Sequence, residues 1–474
     1  MTDEYIPFGE TRAPTADSWR TLLTDAAERA IRYRQHVGER PVAPPAEAVG
    51  QLATLGGHLP QQGLPAADVL ALLDSVAGPA TTAMAGGRYF GFVNGSSLPV
   101  ALAANWLADA WNQNVALHVM SPAGATLEDV VLRWTAEALD LPATSGALVG
   151  GASMANLTGL LAARHAVLER AGWNVEADGL FGAPPITVVV GDEVHTAVVR
   201  ALGFIGLGRD RVVRVPADGQ GRLRPDRLPA VSGPVILCVQ AGNVNTGAFD
   251  PMPAIGAWAK SVGAWTHVDG AFGIWARAEP SRAHLAAGYE LADSWATDGH
   301  KMLNVPYDCG IALVKDQQAH RAAMAFSAAY LPPSGIFDPM HHSLDGSRRA
   351  RSFDVWAAYR FLGREGLADL VRSCSDMARL IARRLSDAGL EILNDVDLNQ
   401  VLVGFADDAT TAAVIAAVQQ DRTCWCGGTR WHGRDAMRIS VSSWATTRDD
   451  AERSAQAIID AAARTRELTR TGAR

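Results

Sequence analysis

Residues 294–304 read SWATDGHKMLN, and Lys301 within them is one of three lysines, with Lys260 and Lys315, among 42 lysines and arginines. Lys260 in IGAWAKSVG and Lys315 in ALVKD read as solubilising surface charges. Lys301 follows the alternating stretch DSWAT, so its side chain is predicted to leave the carboxyl end of a strand, the usual ligand side of an open α/β sheet. Arginine cannot replace lysine where an amine must form a Schiff base, because a guanidinium stays protonated and delocalised. An arginine-rich chain that keeps a lysine here points to amine chemistry.

Working outward, AWTHVDGAFG (264–273) ends a second apolar strand at Asp269, followed by small residues. That arrangement lets a flat ring lie close to the backbone while one carboxylate meets a ring nitrogen, as pyridoxal phosphate requires of a protein that keeps its pyridinium protonated. Upstream, LVGGASMANLTGLLAARHAVL (148–168) places a Gly-Gly turn and Ser153 at the start of an apolar-periodic helix, whose free N–H groups suit a phosphate. Gly turns before helices are also common punctuation, and it is the combination with Asp269 and Lys301 that carries weight. His195, in VVVGDEVHTAVVRAL, follows a strand and opens a helix; it reads either as a cap or as a flat partner stacked on a cofactor ring.

Around these motifs the chain reads as α/β. Short apolar runs (ITVVVGD, VVRV, PVILCVQ, AWTHVDG, DSWATDG, GIALVKD) alternate with helical periods between about 86 and 325, which predicts a mainly parallel or mixed sheet covered on both faces. Residues 1–85 read as a helical arm with helices near 17–36 and 66–77. Residues 326–474 read as a mobile loop, LPPSGIFDPMHHSLDGS (331–347), followed by a smaller α+β domain. SRRAR (347–351) and ARR (382–384) read as solvated helix faces.

Composition narrows the function. A net charge of −8 without a basic face argues against nucleic acid as a partner. No run is long enough to cross a bilayer, and the acidic start lacks a signal-peptide core, so a cytoplasmic enzyme is expected. The five cysteines show no metal-ligand spacing, CWC (424–426) reads as alternate positions on one strand, and no metal is assigned.

With these pieces in order, from RYFGFVNGSSLPVALAANWL through MSPAGATLEDVVLRW, GGASMANLTGLLAAR, DEVHTAVVRAL, AGNVNTGAFDPM, HVDGAFG and DSWATDGHKMLNVPYDCG to SRRARSFDVWAAYRFLGREG, the chain resembles the group II pyridoxal-phosphate-dependent amino-acid decarboxylases. The resemblance implies fold type I, with a mainly parallel seven-stranded sheet in the large domain, and a homodimer with active sites at its interface. It implies Lys301 as the Schiff-base lysine, Asp269 on the pyridine nitrogen, His195 on the ring and Ala271 beneath its other face. It places Ala152, Ser153, Ser294 and His300 near the phosphate, and Asn243 close to the stacking histidine. Amine-forming relatives carry a loop tyrosine that protonates the intermediate; here the matching position is near Pro339, and His341 and His342 are the loop's ionisable alternatives.

The reaction expected is decarboxylation of an L-amino acid to an amine. The competitors are decarboxylation coupled to oxidative deamination, giving an aldehyde, and an aldolase or aminotransferase, for which Arg438 is the carboxylate anchor to consider. A silent regulator ranks below these, because the first 85 residues offer no basic module. Phe90, Phe92 and His118 favour an apolar or aromatic substrate, unless they are simply core.

Overall fold

The computed structural model describes residues 16–325 and 336–472. Seven strands form the large sheet: β1 (Ser145–Val149), β2 (Thr187–Gly191), β3 (Val213–Val215), β4 (Val235–Gln240), β5 (Trp265–Asp269), β6 (Ser294–Asp298) and β7 (Gly310–Val314). Their order is β1-β7-β6-β5-β4-β2-β3, with β7 antiparallel to both neighbours and the other pairs parallel.

The strands read as unbroken apolar runs because both faces are covered. Val189, Leu237, Val268 and Trp295 enter one core, while their neighbours Val188, Val190, Ile236 and Cys238 enter another with Leu160, Val198 and Leu202. Parallel strands joined through helices bring all their carboxyl ends to one edge, and that edge carries the site.

A second, antiparallel sheet runs β10 (Gly427–Trp431), β11 (Arg434–Ser440), β9 (Gln400–Gly404), β8 (Glu391–Ile392). It is packed by the helix Asp408–Asp421 and by the long helix Arg351–Asp387, which is broken at Gly363 (φ 59°, ψ −167°), and the helix Arg448–Gly472 packs against both of these helices. In the amino-terminal segment the helices Ala16–His36 and Ala66–Ala77 are joined by Arg29, whose guanidinium lies 2.8 Å from Asp74. Among the described residues no helix is long and apolar enough to cross a membrane.

Two local expectations are corrected. Arg348 and Arg351 of the SRRAR run are buried and not solvated. Arg348 meets Glu128 at 2.8 Å and donates to the Leu148 carbonyl, while Arg351 meets Asp308 at 2.9 Å. Periodicity could not show this, because the partner of Arg348 lies 220 residues away. Of CWC, Trp425 forms an isolated parallel bridge with Tyr89 just ahead of β10, and both cysteines are buried.

Of the loop 331–347, residues 331–335 lie outside the described residues. The remainder docks on its own chain: Asp338 accepts the His118 N–H at 2.7 Å, and Met340 N–H donates to the Ala116 carbonyl. His342 is buried against Phe337 and His320, and the Nδ1 of His320 lies 2.8 Å from the Ser145 hydroxyl. Burial lowers both imidazoles, His320 to about 3 and His342 to about 4.

Both rings are therefore held neutral in the fold, while the unfolded chain protonates them near 6.5. Their contribution to stability is complete above that value and is lost as pH falls from 6.5 toward 4, by about 1.4 kcal/mol per pH unit for each ring. Compared with wild type, His342→Phe should lose stability less steeply between pH 6.5 and 4.5, by about 1.4 kcal/mol per pH unit, the share of one ring; an identical slope in the variant would contradict it.

Candidate active site

The segment after β6 brings its own charges together. Lys301 Nζ lies 2.9 Å from Asp298 Oδ2, and Asp298, the last residue of β6, is buried. The other carboxylate oxygen, Oδ1, accepts the backbone N–H of Ala152, the first residue of the helix Ala152–Glu169. That helix receives no side-chain cap from Gly151, so a carboxylate from across the sheet sits at its positive end.

Gly151 has φ 144°, a conformation that only glycine adopts easily, and a Cβ there would lie 3.5 Å from His300 Cε1 and 3.6 Å from Asp298 Oδ1. The glycine thus keeps a gap between the helix start and His300. His300 Nδ1 accepts the Cys309 N–H at 3.1 Å, which leaves its Nε2 to carry the proton, 3.6 Å from Asp298 Oδ1. Burial lowers the His300 pKa, with Asp298 acting against it. The ring of Tyr307 packs on His300 at 4.5 Å between centroids.

On the neighbouring strand, Asp269 ends β5 and its Oδ1 accepts the Ala271 N–H at 3.2 Å. The Ala271 carbonyl in turn accepts the Asp298 N–H at 3.0 Å, so the ends of β5 and β6 are tied directly. Beyond β2, His195 caps the helix Thr196–Phe204, its Nδ1 accepting the Ala197 N–H at 3.2 Å. Gln240 at the end of β4 donates to the Glu193 carbonyl and fixes that turn.

The set fits pyridoxal phosphate. One amine stands at the sheet edge, a carboxylate followed by Gly270 and Ala271 ends the next strand, and a helix start whose own N-cap residue gives no side-chain cap faces His300 across a glycine. Residues 58–406 match the pyridoxal-dependent decarboxylase conserved domain, which is more than half of the chain. The chain belongs to the pyridoxal-dependent decarboxylase family.

Members of this family are carboxy-lyases, and their cofactor is pyridoxal phosphate. Among relatives, acidic amino acid decarboxylase GADL1 of Bos taurus is 27% identical over 299 residues, 60% of this chain and 57% of that protein. Tryptophan decarboxylase 1 of Oryza sativa is 28% identical over 87% of this chain and 85% of its own length. Phenylacetaldehyde synthase of Arabidopsis thaliana is 31% identical over 58% of this chain and 59% of its own length. The chain therefore spans little more than half of two of these three relatives. A crystal structure of Oryza sativa TDC with PLP and tryptamine matches with a TM-score of 0.88 at 23% identity, over 96% of this chain and 99% of that one, a likeness of fold.

Within this decarboxylase-family site the structure brings together Lys301, Asp269, Ala271, Ala152 and His300, with Ser153 exposed on the first turn of the same helix. His195 lies at the same sheet edge, where its observed bond is the cap. Asn243 builds the turn after β4: its Oδ1 accepts the N–H groups of Asn245 and Thr246, and its buried Nδ2, which has no hydrogen-bond partner, faces Gly221.

Ser294 is a correction. It is the first residue of β6, and its hydroxyl is bound by Trp265 Nε1 at 2.9 Å and His267 Nδ1 at 2.8 Å. Four steps along the strand separate it from Asp298, about 13 Å. His342 is a second correction: packed with His320 and Ser145 at the amino end of β1, it faces the opposite edge of the sheet from its own chain's Lys301. His341, beside Pro339, is half-buried in the docked turn.

Two residues escaped the reading of the sequence. Asp298 stood three positions before Lys301, where i and i+3 side chains of a turn can meet. Asn304, fully buried with φ 52°, joins three segments. Its Nδ2 donates to the carbonyls of Lys301 (2.9 Å), Met302 (3.2 Å) and Ser442 (3.0 Å), and its Oδ1 accepts from Ser96 (2.9 Å) and Trp444 (3.0 Å). No local sequence signal marks it. Among the described residues no group of three or more His, Cys, Asp or Glu is placed to hold a metal ion.

Proposed function

We propose that the chain decarboxylates an L-amino acid with an apolar or aromatic side chain, releasing carbon dioxide and an amine. The observation that carries this is the pairing of Lys301 with the Asp269 strand end at one edge, next to an aromatic wall. Tyr89 and Phe92 stack on Trp425 with centroids 5.2 and 5.4 Å apart, and the same segment continues to Gly95, where a Cβ would collide with the Lys301 carbonyl. Tyr307 over His300 extends the apolar surface. Tryptophan decarboxylase 1 among the relatives supports an aromatic substrate, whereas GADL1 indicates that the wider family also serves acidic ones.

When bound, pyridoxal phosphate supplies the electron sink for the bond to the departing carboxylate. Lys301 would hold it through its amine, Asp269 would meet its ring nitrogen, and Ala152, Ser153 and His300 would hold its phosphate. Asn304 fixes the Lys301 loop against Ser96 and Trp444, so the amine is presented from a backbone that cannot shift freely. Trp106 and Leu107 on the helix Pro99–Ala110, and Trp111 just past its end, stay 42%, 54% and 52% exposed, which supports a second copy covering this face.

A second reading is favoured by the lack of a tyrosine near Pro339, where the family resemblance implies one for amine-forming members, and by phenylacetaldehyde synthase among the relatives. In it one amino acid, one oxygen and one water give an aldehyde, carbon dioxide, ammonia and hydrogen peroxide. The loaded protein incubated in air with a panel of L-amino acids separates the two: amine without peroxide supports the decarboxylase, and aldehyde with stoichiometric peroxide supports the second reading. Run on size-separated protein, the activity should travel with the dimer. Products from glutamate or aspartate alone would overturn the substrate class.

A further inference from the structure

We infer that Asp298 is a resident anion in the phosphate cradle, a positioning residue that completes the cofactor-free site and opposes the cofactor's phosphate. The inference rests on the family's cofactor and is independent of which product forms. Its basis is the double engagement of one buried carboxylate: Oδ2 on Lys301 Nζ at 2.9 Å, Oδ1 on the N–H of Ala152. An uncapped helix start is where an anion binds, and here a side chain of the chain itself already takes that place. The neighbouring charges do not neutralise it for a second anion. Its cation is Lys301, which must leave the pair to bind the cofactor. His300, at 3.6 Å, is neutral-leaning through burial, and Arg351 is engaged by Asp308 at 2.9 Å.

Two consequences follow from elementary electrostatics. Within the chain, Lys301 and the first N–H of the helix both have a partner in Asp298. With cofactor, a phosphate seated at Ala152 meets a carboxylate in a poorly solvated position, and like charges at such range repel strongly. An amide at 298 would keep an acceptor for Ala152 N–H and offer the phosphate a donor instead of a charge.

The test uses the full chain freed of cofactor and measures equilibrium binding of pyridoxal phosphate and of pyridoxal, which lacks the phosphate, to wild type and Asp298→Asn. The expected result is a gain in affinity for pyridoxal phosphate of about tenfold or more in the variant, with a gain for pyridoxal of less than about threefold. Asp298→Ser, smaller and also neutral, should repeat the phosphate-specific gain and guards against a folding defect in the first variant. Equal gains for both ligands would mean that the substitution merely frees Lys301, and no gain for either would mean that the carboxylate does not face the phosphate; each overturns the inference. A wild type that binds neither ligand would instead refute the cofactor, and this inference with it.

Discussion

Lys301→Arg loses product formation by on the order of 10³-fold or more while the protein stays folded. The guanidinium keeps a positive charge beside Asp298, whose carboxylate lies 2.9 Å from the native amine, so the buried carboxylate still has a partner. What disappears is the nucleophile, because a delocalised guanidinium does not condense with an aldehyde. Borohydride reduction of the loaded wild type should fix the cofactor's mass on the peptide containing residue 301, and the arginine variant should show none. Lys301→Ala serves as the contrast: it removes the amine and also strands Asp298, so it should lower the thermal midpoint of the cofactor-free protein where the arginine variant does not. Retention of more than about a tenth of the activity by Lys301→Arg would show that another group holds the cofactor.

Glu128→Leu is expected to destabilise the fold by about 3–5 kcal/mol. Glu128 is 1% exposed and one oxygen, Oε1, accepts from both Arg348 Nη1 (2.8 Å) and the Leu148 N–H (3.0 Å). Removing it leaves the buried guanidinium of Arg348 without a counter-charge, held only by backbone carbonyls, and a strand N–H without its acceptor. Because Leu148 lies two residues before Gly150, the loss also loosens the strand end that feeds the Gly150–Gly151 turn and the helix start after it. Replacing both partners, Glu128→Leu with Arg348→Met, should recover more than half of the lost stability, since an apolar pair of similar volume does not carry the desolvation cost. Thermal or urea unfolding of the three variants decides the matter; an additive loss in the double variant would mean that the two side chains act separately.

Much of this site was legible in the sequence because its chemistry is local. A lone lysine after an alternating stretch, a carboxylate before Gly and Ala, and a Gly-Gly turn ahead of an apolar helix each announce themselves within ten residues. Strand polarity then places them at one edge without further information. The misreadings share one cause. Ser294 stands close to Lys301 in sequence, yet a strand carries it about 13 Å from Asp298. His342 follows Pro339 closely, yet the docked turn buries it on His320 at the other end of β1.

By itself, the sequence determined the lysine after β6, the carboxylate that ends β5 ahead of Gly270 and Ala271, the alternation that buries both faces of the sheet, and the absence of a tyrosine near 339. These are matters of residue identity and of period along the chain. Only the tertiary structure decided that Asp298 caps a helix 146 residues upstream, that Arg348 is neutralised by Glu128 across 220 residues, and that Asn304 ties three segments behind Lys301. A buried polar group must find its partner wherever packing brings one, and covalent order carries no record of which distant segment that will be.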